Sequence, residues 1–382
     1  MSKPKKGILL PPAVGYSFKI WTQLLSRYKT DFRYYFRVFI ISIINLINFP
    51  FRSYERLFIN SKIKKDLSLE NPPIFILGHW RSGTTHLHNL LCQDLQMAYT
   101  TTYQSVFPDT IFNKVGKFLF QGFSKILMPT KREGDNVTLG SDLPQEEEFA
   151  LADKTPFSFY FFWMFPKQML KFYNDSIRFK NTNVKSIQKW KQDYKLLIQK
   201  SVLNTKKQIY LSKNPPNTGR IETLLEMYPN AKFIYIHRNP VEVFLSTQNF
   251  YRKMMPHLQL QSITNDEIDK MILEVYKLIV GDYLEQKQKI PKGNLVEVAF
   301  SELEMKPTEI LKKIYIQLDL PNFESAISSF ECYLGAMKNY KKNKHSIDRK
   351  DFEKVRENWD FAFKEWSYNT PETINILDEK DL

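Results

Sequence analysis

The feature that most constrains the fold of this 382-residue chain is a short stretch, residues 74–91. It begins with an apolar run, Ile74–Leu77, of the kind that forms a buried parallel strand. A turn bounded by Gly78 and Gly83 follows, and the next apolar residues recur at helical spacing. Strand, glycine-bounded turn and helix together direct backbone N–H groups and a helix N-terminus toward one point. The stretch therefore predicts an anion-binding loop at the end of a parallel strand.

The polar residues of this loop indicate that the anion is a phosphate. Arg81 adds a fixed positive charge, and Ser82, Thr84 and Thr85 add three hydroxyl groups. A turn that binds no ligand is the alternative, yet such a turn has little need for a cation and three hydroxyls together. The sequence thus favours a phosphate-binding loop over a plain connection.

The same loop lacks the parts of a magnesium-dependent nucleoside triphosphatase. Gly78 and Gly83 have the spacing that begins a Walker A loop, but Thr84 stands where that loop needs a lysine. The later strand, 233–236, ends in a His-Arg pair rather than in the aspartate that would hold the metal. ATP-dependent phosphoryl transfer is therefore disfavoured, and no metal site is predicted.

Two motifs resemble those of sulfotransferases that use 3′-phosphoadenosine 5′-phosphosulfate (PAPS). The run from Arg81 to Thr85 is similar to their 5′-phosphosulfate loop, in the form with arginine that bacterial, Golgi and tyrosylprotein members carry. A strand that ends in Arg238, followed by Ser246 on the next helix, is similar to their 3′-phosphate clamp. The resemblance implies that PAPS is the co-substrate. It also implies the donor-binding residues, which are Arg81, Ser82, Gly83, Thr84, Thr85, Arg238 and Ser246.

The order of predicted strands and helices indicates an α/β fold. Strands 208–212 and 232–236 alternate with helices, which predicts a parallel sheet with right-handed crossovers. In such sheets ligands bind at the carboxyl ends of the strands. Arg81, Lys213 and Arg238 each lie just past such an end, so we expect them to converge on one anionic site. The resemblance implies the same architecture, a P-loop-like parallel sheet flanked by helices.

The N-terminal part of the chain is predicted to be a helical extension, residues 1–70, in front of a sulfotransferase domain at 71–382. Its most apolar segment, 38–49, is shorter than the roughly 20 residues of a spanning helix and carries two asparagines. Two interpretations stay open. Residues 33–56 could form an interfacial helix with arginines at lipid head groups, or a helix packed on the domain.

Composition limits the partners and the compartment. The net charge of +14, from 55 basic and 41 acidic residues, suits an anionic cofactor or an anionic membrane. No zinc-finger or RNA-binding motif supports a nucleic-acid partner. Two cysteines and no recognisable signal peptide favour a reducing compartment. We expect a cytoplasmic protein, peripheral on the inner face of the membrane if the interfacial helix is correct.

The resemblance implies in-line transfer of a sulfuryl group to an acceptor hydroxyl or amine without a metal. Arg81 and the loop amides would hold the 5′-phosphate, and Lys213 would neutralise the charge that develops on the bridging oxygen. Near the C-terminus a basic cluster contains Lys342 and Lys344. In the family such a loop closes over the 3′-phosphate end of the nucleotide, so these two lysines are also predicted to bind the donor.

The general base that must take the acceptor proton is harder to predict. Cytosolic members place a histidine two residues after the lysine that corresponds to Lys213, and this chain has Pro215 there. Tyrosylprotein members use a glutamate about twenty residues after the loop arginine, and this chain has none at that place. Glu146 and Glu148 resemble a Pro-x-Glu-x-Glu element of bacterial members. Acids there also suit a helix whose first turn contains Pro144.

Helix geometry restricts this pair, because residues two apart on a helix face different directions. Only one of Glu146 and Glu148 is therefore expected to point inward, and the sequence does not distinguish them. His79 and His86, which flank the loop, are the next candidates.

The acceptor is indicated only by composition. Residues 156–166 are almost wholly apolar and aromatic, which fits either core packing or the wall of a pocket for a hydrophobic molecule. A lipid or sterol-like alcohol is favoured, while a carbohydrate or another small hydroxyl or amine stays open. The alternatives from other classes are a nucleotide-binding protein without catalysis and an atypical nucleoside-triphosphate enzyme.

Overall fold

The computed structural model describes residues 11–127, 140–337, 345–371 and 374–377. The chain divides into two compact units, each assembled from separate stretches of sequence. The first comprises residues 1–73, 98–214 and 253–263, and the second comprises 74–97, 215–252 and 264–382. The predicted division into residues 1–70 and 71–382 is a different one, and it stays a prediction.

The second unit contains the parallel sheet that the sequence predicted. Strands Ile74–Leu77, Lys232–His237 and Leu295–Ala299 lie side by side in that order, and both neighbouring pairs are parallel. Every residue of the first strand is fully buried, as expected where helices cover both faces of a sheet. The α/β class is thereby confirmed.

The helices of the second unit follow its strands along the chain. They cover Thr84–Leu91, Ile221–Met227, Asn265–Gln286, Phe300–Met305, Pro307–Gln317, Phe323–Met337 and Arg349–Glu365. Their starts have local causes: Thr264 and Glu267 form a capping box before the third, and Pro307 opens the fifth. A separate pair of parallel strands, His345–Asp348 and Ile374–Leu377, lies near the C-terminus.

The first unit is mainly helical. Its α-helices are Phe18–Arg27, Tyr35–Tyr54, Asn60–Ile63, Thr102–Val106, Lys114–Leu127, Glu147–Lys154, Met169–Ser176 and Val184–Thr205. The buried strand Ile209–Lys213 follows the last of these. The helix Pro240–Leu258 begins in the second unit, and its last residues belong to the first.

The helix Val184–Thr205 corrects one expectation. Its many lysines and glutamines predict a surface helix, but one of its faces is fully buried, with Trp190, Tyr194 and Lys200 among the inward residues. Lys200 is buried because its Nζ lies 2.6 Å from the carboxylate of Glu55. The burial of this lysine therefore depends on a carboxylate that is distant in the sequence.

Candidate active site

The loop that follows the strand Ile74–Leu77 in the second unit needs both of its glycines. Gly78 has a φ of +142° and Gly83 a φ of +99°. A Cβ atom would lie 2.5 Å from the carbonyl oxygen of Ile236 at the first position and 2.2 Å from a ring carbon of Phe300 at the second. Only glycine fits such positions, so the loop is held to one backbone path.

The helix Thr84–Leu91 starts directly after this loop. Gly83 is its N-cap residue and has no side chain with which to cap the first-turn N–H groups. Such uncapped donors, together with the helix dipole, favour a negative charge at this end. Ser82 and Thr84 are buried beside them, and Thr85 is half-buried. The predicted phosphate loop therefore has the local structure that its sequence indicated.

Three predicted donor-binding residues meet in the second unit. Arg81 Nε donates a hydrogen bond to Ser246 Oγ at 3.0 Å. Arg238 Nη1 donates to the carbonyl oxygen of Arg81 at 3.5 Å, and the Arg238 guanidinium is paired with Glu242 at 3.2 Å. Arg81 thus comes from the loop, Arg238 from the end of the strand Lys232–His237, and Ser246 from the helix that follows it. Together these side chains form one cationic group.

Two aromatic rings contact this group, and the sequence reasoning missed both. The Arg81 guanidinium carbon lies 5.2 Å from the ring centre of Phe250, and that of Arg238 lies 4.7 Å from Phe300. Phe250 comes four residues after Ser246 on one helix, a spacing that places side chains on one face. Phe300 follows directly after a parallel strand, at the edge where ligands bind. Both signals were present in the sequence.

The two histidines beside the loop are poorly suited to accept a proton. Burial lowers the pKa of His79 to about 3, and its Nδ1 donates to the carbonyl oxygen of Trp80 at 2.7 Å. Burial also lowers the pKa of His86. A base works best with a pKa near the operating pH, so His79 would be a weak one.

In the first unit, Lys213 is paired with one of the two predicted glutamates. Lys213 Nζ lies 2.5 Å from Glu146 Oε1, and the hydroxyl of Tyr160 donates to Glu146 Oε2. Both members of the ion pair are buried, with 2% of Lys213 and 7% of Glu146 exposed. A lysine and a carboxylate are thus held together at the end of the strand Ile209–Lys213.

The expectation that only one of Glu146 and Glu148 points inward is wrong. The helix begins at Glu147, and Glu146 precedes it with an extended backbone, so the geometry of two residues on one helix does not apply. Pro144 also lies before the helix rather than in its first turn, in an isolated antiparallel bridge with Thr101. Both glutamates are buried as a result.

Glu148 accepts hydrogen bonds from three neutral donors. Its Oε1 accepts from Ser158 Oγ and from the backbone N–H of Phe159, both at 2.9 Å. Its Oε2 accepts from Asn214 Nδ2 at 3.0 Å. The side chain is fully buried and ties the helix Glu147–Lys154 to the residue that follows Lys213.

Glu147 is a buried carboxylate that the sequence reasoning did not single out. Its Oε1 accepts from the Tyr210 hydroxyl at 2.7 Å, and that hydroxyl also contacts Thr100 Oγ1 at 2.9 Å. Burial raises the pKa of Glu147 to about 7. No local signal separates this glutamate from its two neighbours, because its environment comes from residues far away in the sequence.

The aromatic stretch 156–166 forms part of the core of the first unit. The short helix Phe159–Trp163 is buried along its whole length, and stacked or edge-on ring contacts connect it to Phe172 and Tyr173. The core-packing interpretation therefore holds for residues 158–166, whereas Pro156 is exposed and Phe157 is half-buried. Tyr160 is the member that also reaches Glu146.

The contacts described above do not test the remaining sequence-based expectations for the site. Lys342 and Lys344 lie outside the described residues. The convergence of Lys213 with Arg81 and Arg238 stays a prediction, because they belong to different units. Across residues 11–127, 140–337, 345–371 and 374–377, no group of three or more His, Cys, Asp or Glu side chains is placed to hold a metal ion.

Known proteins resemble this chain over most of its length. The sequence profile described as the sulfotransferase family matches residues 72–325. Two curated relatives, the omega-hydroxy-beta-dihydromenaquinone-9 sulfotransferases Stf3 of Mycobacterium bovis and Mycobacterium tuberculosis, are each 27% identical over 371 residues. The alignment covers 96% of this chain and 94% of theirs.

Solved structures agree on the fold. Sulfotransferase STF9 from Mycobacterium avium has a TM-score of 0.64 at 16% identity, covering 95% of this chain and 98% of its own. Sulfotransferase STF1 from Mycobacterium tuberculosis has a TM-score of 0.59 at 16% identity, covering 85% and 84%. At such identities the likeness concerns architecture alone.

Proposed function

This chain belongs to the sulfotransferase family, and we propose that it transfers the sulfuryl group of PAPS to a hydroxyl group of a hydrophobic, lipid-like acceptor. The observation that carries the donor assignment is the contact of Arg81 with Ser246 and Arg238. Two guanidinium groups beside an uncapped helix N-terminus favour a doubly phosphorylated nucleotide over a neutral ligand.

The donor lies with its 5′-phosphosulfate against the loop and its 3′-phosphate against Arg238 and Ser246. The first-turn N–H groups of the helix Thr84–Leu91 and the hydroxyls of Ser82, Thr84 and Thr85 bind the 5′-phosphate. Arg238 exchanges its pairing with Glu242 for the 3′-phosphate. Lys342 and Lys344 add positive charge at that end of the nucleotide.

The transfer step needs one cation and one base. The acceptor oxygen attacks sulfur and forms a new S–O bond, while the bond from sulfur to the bridging oxygen breaks with its electron pair. Lys213 stabilises the negative charge that this oxygen acquires, and Glu146 takes the proton of the acceptor hydroxyl. The products are a sulfate ester and adenosine 3′,5′-bisphosphate.

Contacts in the first unit support Glu146 rather than Glu148 as that base. Glu146 is paired with Lys213 and keeps a small exposed fraction, whereas Glu148 is fully buried and accepts hydrogen bonds from Ser158, Phe159 and Asn214. Because both carboxylates accept hydrogen bonds, access distinguishes them: only Glu146 keeps an exposed fraction through which an acceptor hydroxyl could reach it. Glu148 therefore positions Asn214 and the adjacent Lys213.

The acceptor assignment follows from the relatives and from the surface of the first unit. The Stf3 relatives are named for an omega-hydroxylated dihydromenaquinone, a long apolar molecule with a hydroxyl group. Large apolar residues of the helix Tyr35–Tyr54 are exposed, which suits an enzyme that works where such molecules are dissolved. The protein acts from the cytoplasm as a peripheral membrane enzyme.

Calorimetric titration with adenosine 3′,5′-bisphosphate tests the donor site. Wild type is expected to bind it with micromolar or tighter affinity and to prefer it over ATP with Mg²⁺. Arg238→Ala should lose this binding. Arg252→Ala, an exposed arginine later on the same helix, is the matched control and should keep it. Preference for ATP in wild type would overturn the donor assignment.

A panel of acceptors tests the second half of the proposal. With sulfur-labelled PAPS, we expect label in long-chain or isoprenoid alcohols and none in simple sugars. Sulfation of sugars but of no lipid or sterol alcohol would refute the hydrophobic acceptor while leaving the sulfotransferase activity intact. Donor binding without transfer to any member would point to a binding protein instead.

A further inference from the structure

The helix near the N-terminus of the first unit has its apolar side facing outward. Between residues 36 and 58, side chains such as Phe36, Ile43, Leu46, Ile47 and Leu57 are exposed, and 76% of Phe36 and 67% of Leu57 are accessible. They recur every three or four residues, so they share one side of the helix. We name this surface the apolar stripe. At about 1.5 Å per residue it is roughly 33 Å long.

The opposite, buried side of the same helix is mostly polar, with Ile41 as an apolar member. Asn45 Nδ2 donates to the carbonyl oxygen of Ala13 at 3.0 Å, and Arg52 is paired with Asp153 at 3.0 Å. Glu55 is paired with Lys200 at 2.6 Å. A soluble helix has the reverse arrangement, with apolar residues inward and polar residues outward. The outward side is therefore adapted to something other than water.

Contacts at both ends fix this helix along the first unit. Arg37 Nη1 donates to the carbonyl oxygen of Gln259 at 2.7 Å near the start of the stripe. Past its end, Asn60 Nδ2 donates to Asp109 at 3.0 Å. Asp109 is fully buried and also accepts from Lys154 at 2.6 Å. The helix cannot leave the unit without breaking buried charge pairs, which is strongly unfavourable.

These contacts exclude a transmembrane orientation of the helix. By length and composition alone the helical stretch Phe32–Ile63 could cross a bilayer. Crossing would carry Arg52 and Glu55 into hydrocarbon without Asp153 and Lys200, and unpaired charges are costly there. A helix that keeps its polar side on the protein must instead lie in the plane of the interface.

The charges around the stripe indicate which lipids it meets. From residue 32 to residue 54 the sequence contains no aspartate or glutamate. Arg33 is exposed before the stripe, and Lys62, Lys64 and Lys65 are exposed after it. Exposed cations at the ends of an apolar surface are complementary to anionic head groups, each adding attraction near a negatively charged leaflet.

We propose that the apolar stripe docks this protein, in the plane of the interface, on a bilayer that contains anionic phospholipids. This inference adds a membrane partner to the proposed function. It rests on that function for its purpose, because docking brings the enzyme to the bilayer in which a lipid acceptor is dissolved. The docking itself does not require sulfuryl transfer, so vesicle binding can be tested separately from activity.

Co-sedimentation of the full chain with vesicles tests the docking. Wild type should bind vesicles of phosphatidylcholine with phosphatidylglycerol more tightly than vesicles of phosphatidylcholine alone. The triple variant Phe36→Gln, Leu46→Gln and Leu57→Gln should lose roughly a hundredfold in affinity, since three large apolar contacts with lipid are removed. It should keep its melting temperature, because all three side chains are exposed.

A matched control separates a specific surface from general stickiness. Leu95→Gln, Val184→Gln and Ile316→Gln replace three equally exposed apolar residues outside the stripe. This control should bind vesicles as wild type does, and so should a variant with impaired transfer that keeps the shape of the side chain, Glu146→Gln. Equal loss in both triple variants, or no binding by wild type, would overturn the proposal.

Depth measurements distinguish in-plane docking from crossing. Cysteines introduced one at a time at Phe36, Leu46 and Leu57 would carry an environment-sensitive fluorophore quenched by lipids labelled at known depths. The background is Cys332→Ser, in which the remaining cysteine, Cys92, is buried. In-plane docking predicts the same shallow depth at all three positions. A middle position much deeper than both ends would indicate crossing and refute it. A dimer in sedimentation velocity that the stripe variant dissociates would show that a second copy covers the stripe.

Discussion

The ammonium group of Lys213 lies 2.5 Å from the carboxylate of Glu146, and both side chains are almost completely buried. Two groups with opposite tasks in the proposed reaction are thus paired before any substrate binds. The pairing orients Lys213, and it holds Glu146 at the end of the strand that carries the lysine. Removal of either member leaves a buried charge without its counter-ion.

Replacement of Glu146 by glutamine should lower turnover with little effect on the donor. We expect Glu146→Gln to reduce kcat by about 10² to 10⁴, the range for loss of a general base. The side chain keeps its shape and one oxygen for Lys213 or Tyr160, so adenosine 3′,5′-bisphosphate should bind within a few-fold of wild type. Initial rates over a range of pH, combined with calorimetry, measure both quantities.

The matched control for this experiment is Glu148→Gln. The amide nitrogen cannot accept the hydrogen bond from Asn214, so we expect a loss of about 1 to 3 kcal/mol in stability. Turnover per folded molecule should fall by less than tenfold. If Glu148→Gln instead abolished turnover at an unchanged melting temperature while Glu146→Gln stayed active, the two roles would be reversed.

Glu242 should weaken donor binding by occupying Arg238. The two side chains are paired at 3.2 Å and remain partly exposed, so the pair contributes little to stability. Glu242→Gln should therefore tighten binding of adenosine 3′,5′-bisphosphate by about two- to fivefold at low salt. Asp269→Asn removes one negative charge beside Arg252 and should leave binding unchanged. Weaker binding in Glu242→Gln would mean that the glutamate positions the arginine rather than competing for it.

Two glycines of the second unit should respond oppositely to alanine. Gly83→Ala places a methyl group 2.2 Å from the Phe300 ring at a φ of +99°, which should cost about 3 kcal/mol or more and impair donor binding. Gly281 lies inside the helix Asn265–Gln286, where an added Cβ meets nothing within 4 Å. Gly281→Ala should stabilise by roughly 0.5 to 1 kcal/mol. Thermal unfolding followed by circular dichroism measures both, and a stable Gly83→Ala that binds the bisphosphate would contradict the loop's rigid role.

The family and the fold class were predictable because their signals are local. A buried strand, a glycine-bounded turn and a helix follow one another within eighteen residues, 74–91, and a later strand, 232–236, leads directly to Arg238 and to Ser246 on the next helix. The strand predicted at 232–236 is observed at nearly the same residues, Lys232–His237. The family match over residues 72–325 confirms the resemblance on which the enzyme class was based.

What the sequence missed depends on contacts between distant residues. Pro144 suggested an early helix start, but its bridge to Thr101, forty-three residues away, keeps the chain extended until Glu147. The apolar run of residues 38–49 was evident in the sequence. Which side of this helix faces outward, however, depends on the hydrogen bond from Asn45 to the carbonyl group of Ala13. No periodicity in the helix alone reveals such a partner, because asparagines usually face water.

Glu147 should make stability depend on pH in a defined direction. Burial raises the pKa of Glu147 from 4.5 to about 7. Between pH 4.5 and pH 7, the folded state therefore keeps a proton on this carboxylate that the unfolded state has released. The contribution of Glu147 to stability is therefore complete below about pH 4.5 and is lost, by about 3 kcal/mol, as the pH rises to 7. Glu147→Gln imitates the protonated form at every pH. Its melting temperature relative to wild type should rise steadily from pH 4.5 to 7 and then level off, whereas the exposed Glu285→Gln should give a constant difference. A difference for Glu147→Gln that did not change with pH would show that this carboxylate is charged inside the folded protein.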